Sequence, residues 1–256
     1  MSSEPAVRAA GTPPVPADRR RVRAIHRRLL RRYGELEPPR RTDPLEELVF
    51  TVLSQNTSDA NSSRAYGSLR DRFPTWEELA AARPEEVAEA IWVGGLARIK
   101  APRILAILGE IRRREGRFDL SWMRRAPDEE VRAYLSSLPG VGPKTVAVVL
   151  AFSLGRPALP VDTHVHRVSR RLGLIPARAS AEAAHRILED LVPPELRVGL
   201  HVGLIRLGRE VCVARRPRCE ACPLADLCPT APAILGRPGE ARTPTRGGRA
   251  GASPSG

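Results

Sequence analysis

The amino-acid sequence predicts an all-α fold. Apolar residues recur three and four positions apart in one segment after another, which is the spacing that gathers them on one face of a helix. No stretch alternates between apolar and polar residues as a half-buried strand does. The connections between predicted helices are short and carry Pro or Gly, as at residues 83–84, 94–95 and 155–157.

The predicted helices follow one another along most of the chain. The first carries Val22, Ile25 and Leu29 as a thin apolar stripe among many arginines, so its surface is either a plain solvated face or one that meets nucleic acid. The second carries apolar residues from Leu45 to Val52, and a later one carries them from Ile99 to Leu108. Further helices fit residues 61–72, 76–82, 84–92, 128–136, 143–154, 163–172, 181–191 and 195–207.

Composition predicts a folded protein with unstructured ends. A chain of 256 residues with 42% hydrophobic content can bury one large core or two modest ones. Residues 1–17 are rich in Pro, Ala and Ser, and residues 230–256 in Pro, Gly and Arg, so we expect two disordered tails. Because no apolar run approaches the length of a membrane span and the start has no apolar signal core, we expect a soluble, cytoplasmic protein.

Charged and amide side chains are distributed unevenly. The formal charge of +13 favours a polyanionic partner, although a generally basic surface gives the same charge. Lys100 and Lys144 are the only lysines, and every other basic residue is arginine, which cannot lose its proton to become an amine nucleophile. The side-chain amides are confined to Gln55, Asn56 and Asn61. Both patterns mark chemically special positions, unless a biased codon supply produced them.

A tight turn with two glycines precedes an apolar helix in the segment LPGVGPKTVAVVL. Gly140 and Gly142 bracket one valine, so backbone N–H groups point outward where the helix dipole also favours an anion. Such a turn forms a phosphate cradle, whereas an ordinary helix–helix loop usually needs one glycine. Lys144 follows Pro143 in the first helical turn, where partial burial and the helix dipole disfavour the charged form. Lys144 is therefore a candidate neutral nucleophile, with a phosphate-binding lysine as the alternative.

A carboxylate stands at the predicted start of the next helix, in the segment ALPVDTHVHRV. Position alone favours N-capping by Asp162. The preceding linker is long enough to return, which would bring Asp162 and Lys144 to one cleft. His164 and His166 lie two residues apart and cannot share a helix face, so we interpret them as polar residues at the helix start or facing the partner.

The four cysteines form one cluster with the spacing C-x₆-C-x₂-C-x₅-C: Cys212, Cys219, Cys222 and Cys228. This clustering favours a metal site over disulfides. From the ligands alone a zinc ion and a [4Fe-4S] cluster remain alternatives, although only one C-x₂-C pair of the kind typical of zinc occurs. Arg215, Arg216 and Arg218 lie between the first two cysteines and would place cations suited to phosphate at the rim of this loop.

The motif LPGVGPK followed by VDTHVHRV resembles the helix-hairpin-helix DNA glycosylase superfamily, and Lys144 with VDTH resembles its endonuclease III branch. The cysteine spacing is similar to that of the family's [4Fe-4S] loop, and the resemblance covers nearly all of the ordered chain. It implies two helical lobes. One is a six-helix domain of residues 40–156 that contains the helix-hairpin-helix at about 128–154, and the other is an iron-sulfur cluster domain of residues 18–39 plus 157–229.

The resemblance also implies an activity. It predicts a bifunctional DNA glycosylase and abasic-site lyase, acting as a monomer on double-stranded DNA with oxidised pyrimidines or abasic sites. Lys144 would attack C1′ of the damaged nucleotide and Asp162 would stabilise the sugar cation. Asn56 aligns with the family's gap-filling Gln and Gln55 precedes it, while Leu96 takes the wedge position. The DNA contacts implied are Gln55, Asn56, Leu96, Gly140, Gly142, Thr145, His164, Arg215, Arg216 and Arg218.

Departures from the family pattern leave some properties open. Asn56 replaces the usual Gln and Ala97 stands where an aromatic is common, so the plugging amide and the substrate range are not fixed. A mismatch glycosylase for adenine or thymine is one alternative, but such enzymes generally lack the hairpin lysine, and the adenine type has a further C-terminal domain for which we expect no room. A non-catalytic, metal-stabilised DNA-binding module is another, but it would need no amine at position 144.

Overall fold

The computed structural model describes residues 18–36 and 42–236, and all regular secondary structure in these two ranges is helical, which confirms the predicted class. No helix in these ranges is long and apolar enough to pass through a lipid bilayer. The helices are α1 (Arg19–Tyr33), α2 (Pro44–Ser54), α3 (Asp59–Arg72), α4 (Trp76–Ala81), α5 (Pro84–Ala90), α6 (Ala97–Glu115), α7 (Asp128–Ser136), α8 (Pro143–Val148), α9 (Thr163–Arg171), α10 (Ala181–Leu191), α11 (Arg197–Glu210) and α12 (Ala231–Leu235).

Two clusters of buried apolar side chains organise these helices. The first is built from α2 to α8 and runs from Leu45 to Ala158. The second is built mainly from α1, α9, α10 and α11, and it takes up the chain again at Leu159. The segment between α8 and α9 therefore passes from one cluster to the other.

Two predicted helices end earlier than periodicity suggests. The helix predicted over 84–92 stops at Ala90, and a 3₁₀ turn at Trp92–Gly94 follows because the amide of Gly95, at φ +65°, bonds back to Trp92. The helix predicted over 143–154 is α-helical to Val148 and continues as a π-helical turn at Val149–Ser153. Periodicity reports which face is buried and is insensitive to the hydrogen-bonding pattern of a last turn.

The predicted C-terminal tail begins too early. Part of it forms α12, because the Thr230 hydroxyl donates to the Arg171 carbonyl at 2.8 Å and Ala231 is 1% exposed. Anchoring to a distant helix leaves no local periodicity in the sequence. The rest of that tail, from residue 237, and the predicted tail over 1–17 lie outside the described residues.

The arginine-rich α1 uses part of its charge inside the protein. Arg21 is 9% exposed and donates to the carbonyl oxygens of Leu172 and Leu227. Arg28 forms an ion pair with Asp226. Arg21 binds α1 to the end of α9 and to the cysteine-bearing segment, and Arg28 binds α1 to that segment, so this part of the charge run is structural.

Candidate active site

The two-glycine turn joins α7 to α8. Gly140 has φ +71°, and a Cβ built there would lie 2.5 Å from Nε of Arg103. Gly142 is the N-cap of α8 with φ −101°, and a Cβ there would meet open space. Within the described ranges, neither glycine amide donates to a backbone carbonyl, so both N–H groups are available to an anion near the positive end of α8.

The two glycines predict opposite responses to an added methyl group. We expect Gly140→Ala to lower the free energy of unfolding by about 1–3 kcal/mol, because it combines left-handed strain with a clash against Arg103. Gly142→Ala is the matched control and is expected to change stability by less than about 1 kcal/mol. Urea unfolding of the two variants distinguishes them, and equal losses would contradict this account of the turn.

Lys144 is the second residue of α8 and is half-buried. Burial lowers the pKa of its ammonium, and the carboxylates of Asp162, Glu47 and Asp59 oppose that effect without cancelling it. Both influences are expected at a nucleophilic amine, since the pKa falls toward neutrality while the nearby carboxylates attract a proton.

Asp162 lies at the head of α9 and does cap that helix, because its Oδ1 accepts the amide of Val165 at 2.7 Å. The capping alternative from the sequence is therefore part of its role. The carboxylate is also near enough to Lys144 to raise its pKa. The cap hydrogen bond fixes where the carboxylate sits, which is how a local helix signal comes to orient an electrostatic group.

Two buried histidines hold the backbone that leads into Asp162. His201 on α11 contacts the Pro160 carbonyl through Nδ1 at 2.7 Å, and because a carbonyl only accepts, Nδ1 carries the proton. On α10, His185 accepts the Val161 amide at Nε2 over 3.3 Å. Burial lowers the pKa of both rings, of His201 to about 4, so both are neutral near pH 7. Sequence reasoning missed both, since nothing local links them to residues 24 and 41 positions away.

The lowered histidine pKa values predict acid destabilisation. The unfolded chain binds a proton at position 201 near pH 6.5 and the folded protein only near pH 4, so the free energy of unfolding falls as the pH drops through this interval. The loss from His201 is complete once the pH lies below both pKa values. His201→Gln cannot titrate and is expected to show a shallower decline in urea unfolding across this range. Parallel pH profiles for the two proteins would refute this prediction.

Three non-glycine residues in the described ranges have positive φ: Asn56 at 54°, Leu96 at 52° and Arg216 at 52°. All three are among the residues that the sequence predicts to contact DNA. Asn56 is exposed, and Leu96 is 50% exposed as the N-cap of α6. Such a conformation costs about 1–3 kcal/mol per residue and persists where the surroundings impose it, which is common at binding sites.

The four cysteines line one apolar cavity beside α9, α11 and α12. Burial raises the pKa of Cys222 to about 11, and the neighbouring cysteines add to this effect. In the described ranges, no three His, Cys, Asp or Glu side chains converge on a position for a single metal ion. A zinc ion would need sulfurs about 2.3 Å away. Four cysteines that line one cavity are a ligand set for either a zinc ion or a [4Fe-4S] cluster.

The other predicted DNA contacts have mixed surroundings. The exposed Arg215, Arg216 and Arg218 belong to the segment between the first two cysteines, and Arg218 also donates to the Glu210 carbonyl. His164 is half-buried, and its Nδ1 lies 3.1 Å from Nη2 of Arg167. Thr145 is 2% exposed, and its amide donates to the Gly142 carbonyl. Its contact with DNA stays a prediction.

Comparison with known proteins defines the class. Residues 49–194 match the HhH-GPD superfamily of base excision DNA repair proteins, and residues 212–228 match the iron-sulfur binding domain of endonuclease III. The fold and site therefore define a base excision repair enzyme with the helix-hairpin-helix glycosylase architecture. The second match confirms the predicted [4Fe-4S] cluster.

Comparison with individual proteins identifies the family within this class. Endonuclease III of Thermotoga maritima is 37% identical over 207 residues, covering 81% of this chain and 90% of that protein. A solved structure of a trapped endonuclease III–DNA covalent intermediate is 29% identical with a TM-score of 0.75, covering 85% of this chain and 98% of that one. An Arabidopsis thaliana protein named as a DNA glycosylase is 40% identical over 165 residues, 64% of this chain but 56% of its own length. The chain belongs to the endonuclease III family.

Proposed function

We propose that this protein is a bifunctional DNA glycosylase and abasic-site lyase that removes oxidised pyrimidines and cuts the strand by β-elimination. The observation that carries the proposal is the half-buried amine of Lys144 at the head of α8, within electrostatic reach of the Asp162 carboxylate at the head of α9. The likeness to a trapped endonuclease III–DNA covalent intermediate supports a covalent route.

DNA binding begins with phosphate contacts. The N–H groups of the Gly140–Gly142 turn receive one phosphate, and Arg215 and Arg216 meet the backbone beside the cluster loop. Leu96 enters the base stack as the wedge, which helps to offset the loss of stacking when the damaged nucleotide leaves the duplex. These contacts read no sequence, as expected for an enzyme that searches for damage.

The chemistry then follows in two stages. The neutral amine of Lys144 attacks C1′, the bond from C1′ to the base breaks, and its electron pair leaves with the base, while Asp162 stabilises positive charge on the sugar. The C1′–O4′ bond then breaks with its electrons on O4′, which takes a proton from the amine, and the nitrogen lone pair forms the Schiff base between Lys144 and C1′. A proton then leaves C2′, and the bond to the 3′ phosphate breaks with its electrons on the phosphate, so the strand is cut on the 3′ side.

Asn56 fills the gap left by the extruded nucleotide, in preference to Gln55. The Gln55 side chain is occupied, since its Oε1 accepts from Nη1 of Arg103 at 2.9 Å. Asn56 is exposed in a left-handed conformation and offers one donor group and one acceptor to an unpaired base. The Asn56 side chain is shorter than the Gln usual in the family. We therefore expect this enzyme's preference for the base opposite the lesion to differ from that of the family.

The two apolar clusters support a division into two lobes, residues 40–156 and residues 18–39 plus 157–229, of which residues 37–41 lie outside the described part of the chain. DNA would lie across the cleft between the two lobes. Cys212, Cys219, Cys222 and Cys228 would hold the [4Fe-4S] cluster, which would fix the arginine-bearing loop of the second lobe in place. The enzyme acts as a monomer in the cytoplasm, at the nucleoid, where its substrate is.

The decisive test is borohydride trapping on a duplex with one abasic site. A lyase gives a covalent protein–DNA adduct and strand cleavage. A mismatch glycosylase would release a base from a mismatched duplex without an adduct, and a non-catalytic module would only bind, so either result would overturn the proposal. Duplexes that each contain one oxidised pyrimidine then identify the preferred lesion by the rate of base release.

The cluster gives a separate prediction. Purified protein is expected to be yellow-brown and to contain iron and inorganic sulfide, and Cys222→Ser is expected to lose most of both. Thr230→Ala is the control, because it alters the same cavity without removing a ligand. Zinc in place of iron would contradict the assignment.

A further inference from the structure

Lys100 on α6 is the only lysine besides Lys144, and it is 2% exposed. Its Nζ donates to the carbonyl oxygen of Leu53 at 2.6 Å and to that of Gly94 at 2.8 Å. A buried ammonium is unfavourable unless its donors are paired. These two hydrogen bonds are therefore a specific arrangement that the fold keeps.

The two carbonyls belong to the segments that hold the strained DNA-contact residues. Leu53 is the penultimate residue of α2, three positions before Asn56. Gly94 ends the 3₁₀ turn, two positions before Leu96. Lys100 thus joins the end of one segment to the end of the other, and it does so at carbonyls where the negative end of a helix favours a cation.

Arg103, one turn further along α6, makes a second connection. Its Nη1 binds Oε1 of Gln55, and its guanidinium packs against Gly140 of the hairpin. One face of α6 therefore makes four contacts: with Leu53 and Gln55 just before Asn56, with Gly94 just before Leu96, and with Gly140 in the two-glycine turn. Arginine would not substitute for Lys100, because its planar guanidinium is too large for a closed site built around two converging carbonyls.

We infer that Lys100 is a positioning residue that fixes the separation between Asn56 and Leu96, so that gap filling and wedging occur together when a nucleotide is extruded. Arg103 helps to fix the same separation through its hydrogen bond to Gln55. Lys100 itself does not reach the DNA, because its ammonium is enclosed and used by two carbonyls. This inference rests on the proposed function, in which Asn56 and Leu96 act on the extruded nucleotide.

Two abasic substrates separate this role from general stability. In a fully paired duplex, the abasic nucleotide must be extruded and the base opposite must be engaged. In a duplex where the abasic nucleotide is a bulge with nothing opposite, there is no gap to fill. We expect Lys100→Met to trap on the paired duplex at least tenfold more slowly than wild type and on the bulged duplex within about twofold. Arg113→Met, which removes one exposed cation from the same helix, is expected to match wild type on both.

Each outcome decides the inference. Unchanged trapping of the paired duplex by Lys100→Met, or an equal loss on both substrates, overturns it. If Lys100→Met does not fold, Arg103→Met provides the test, because truncating the half-buried Arg103 side chain leaves no enclosed cavity. Arg103→Met is expected to show the same loss on the paired duplex alone. Absence of that loss also overturns the inference. Absence of trapping by wild type on both substrates would instead refute the proposed function itself.

Discussion

The Lys144→Ala protein is expected to bind abasic DNA but to leave it uncut. Removing the amine removes the group that we propose forms the Schiff base, so we expect strand cleavage to fall by a factor on the order of 10³ or more. Binding is expected to persist, because the phosphate contacts proposed for the hairpin use backbone N–H groups of Gly140 and Gly142. Single-turnover cleavage and a binding titration, both on one abasic duplex, measure the two properties separately.

A matched control removes a cation elsewhere. Arg113→Ala changes the net charge equally and lies on the exposed face of α6, so its cleavage rate is expected to equal that of wild type. A Lys144→Ala protein that still cleaves within tenfold of wild type would contradict the assigned role. A variant that no longer binds would show that Lys144 serves mainly as a phosphate contact, the alternative that the sequence leaves open.

Asp162→Asn is expected to abolish most base release while leaving the fold intact. Asparagine is as good an N-cap as aspartate, so α9 keeps its cap and the melting temperature changes little. The lost negative charge no longer stabilises the sugar cation, which is expected to slow single-turnover base release by about 10²- to 10³-fold. Cleavage of a preformed abasic site is expected to fall less, since no base has to leave.

The same substitution at another cap is the control for Asp162→Asn. Asp18 caps α1 by accepting the amide three residues on at 2.7 Å, the same geometry as Asp162 with Val165. Asp18→Asn is therefore expected to release base at the wild-type rate. Equal losses in both variants would assign the effect to capping and remove the electrostatic role.

The site could be predicted where its signals are local. Gly140, Gly142 and Lys144 follow one another in a turn, and Asp162 stands at a helix start, so residue type and position suffice to propose a function for each. That Asp162 comes near enough to Lys144 to raise its pKa depends on the route of the chain between the two apolar clusters. The sequence shows only that the linker is long enough.

The residues that prediction missed act through contacts between distant elements. His185 and His201 support Asp162 from two other helices, and each contact involves one backbone group that has no sequence signature. Lys100 stands out in the sequence only by its rarity, because its partners are carbonyl oxygens. The resemblance implies Thr145 as a DNA contact; adjacent residues of a helix point to different sides, and the Thr145 side chain is buried.

Locating the trapped adduct tests the central claim most directly. A protease that cuts only after lysine cleaves the free chain at Lys100 and Lys144, giving fragments 1–100, 101–144 and 145–256. After borohydride trapping on abasic DNA, modification of Lys144 blocks one cut, so the DNA is predicted to remain on a fragment spanning 101–256. DNA found on fragment 1–144 or on fragment 1–100 would place the Schiff base on Lys100 or on the terminal amine, and would contradict the assignment of Lys144 as the nucleophile.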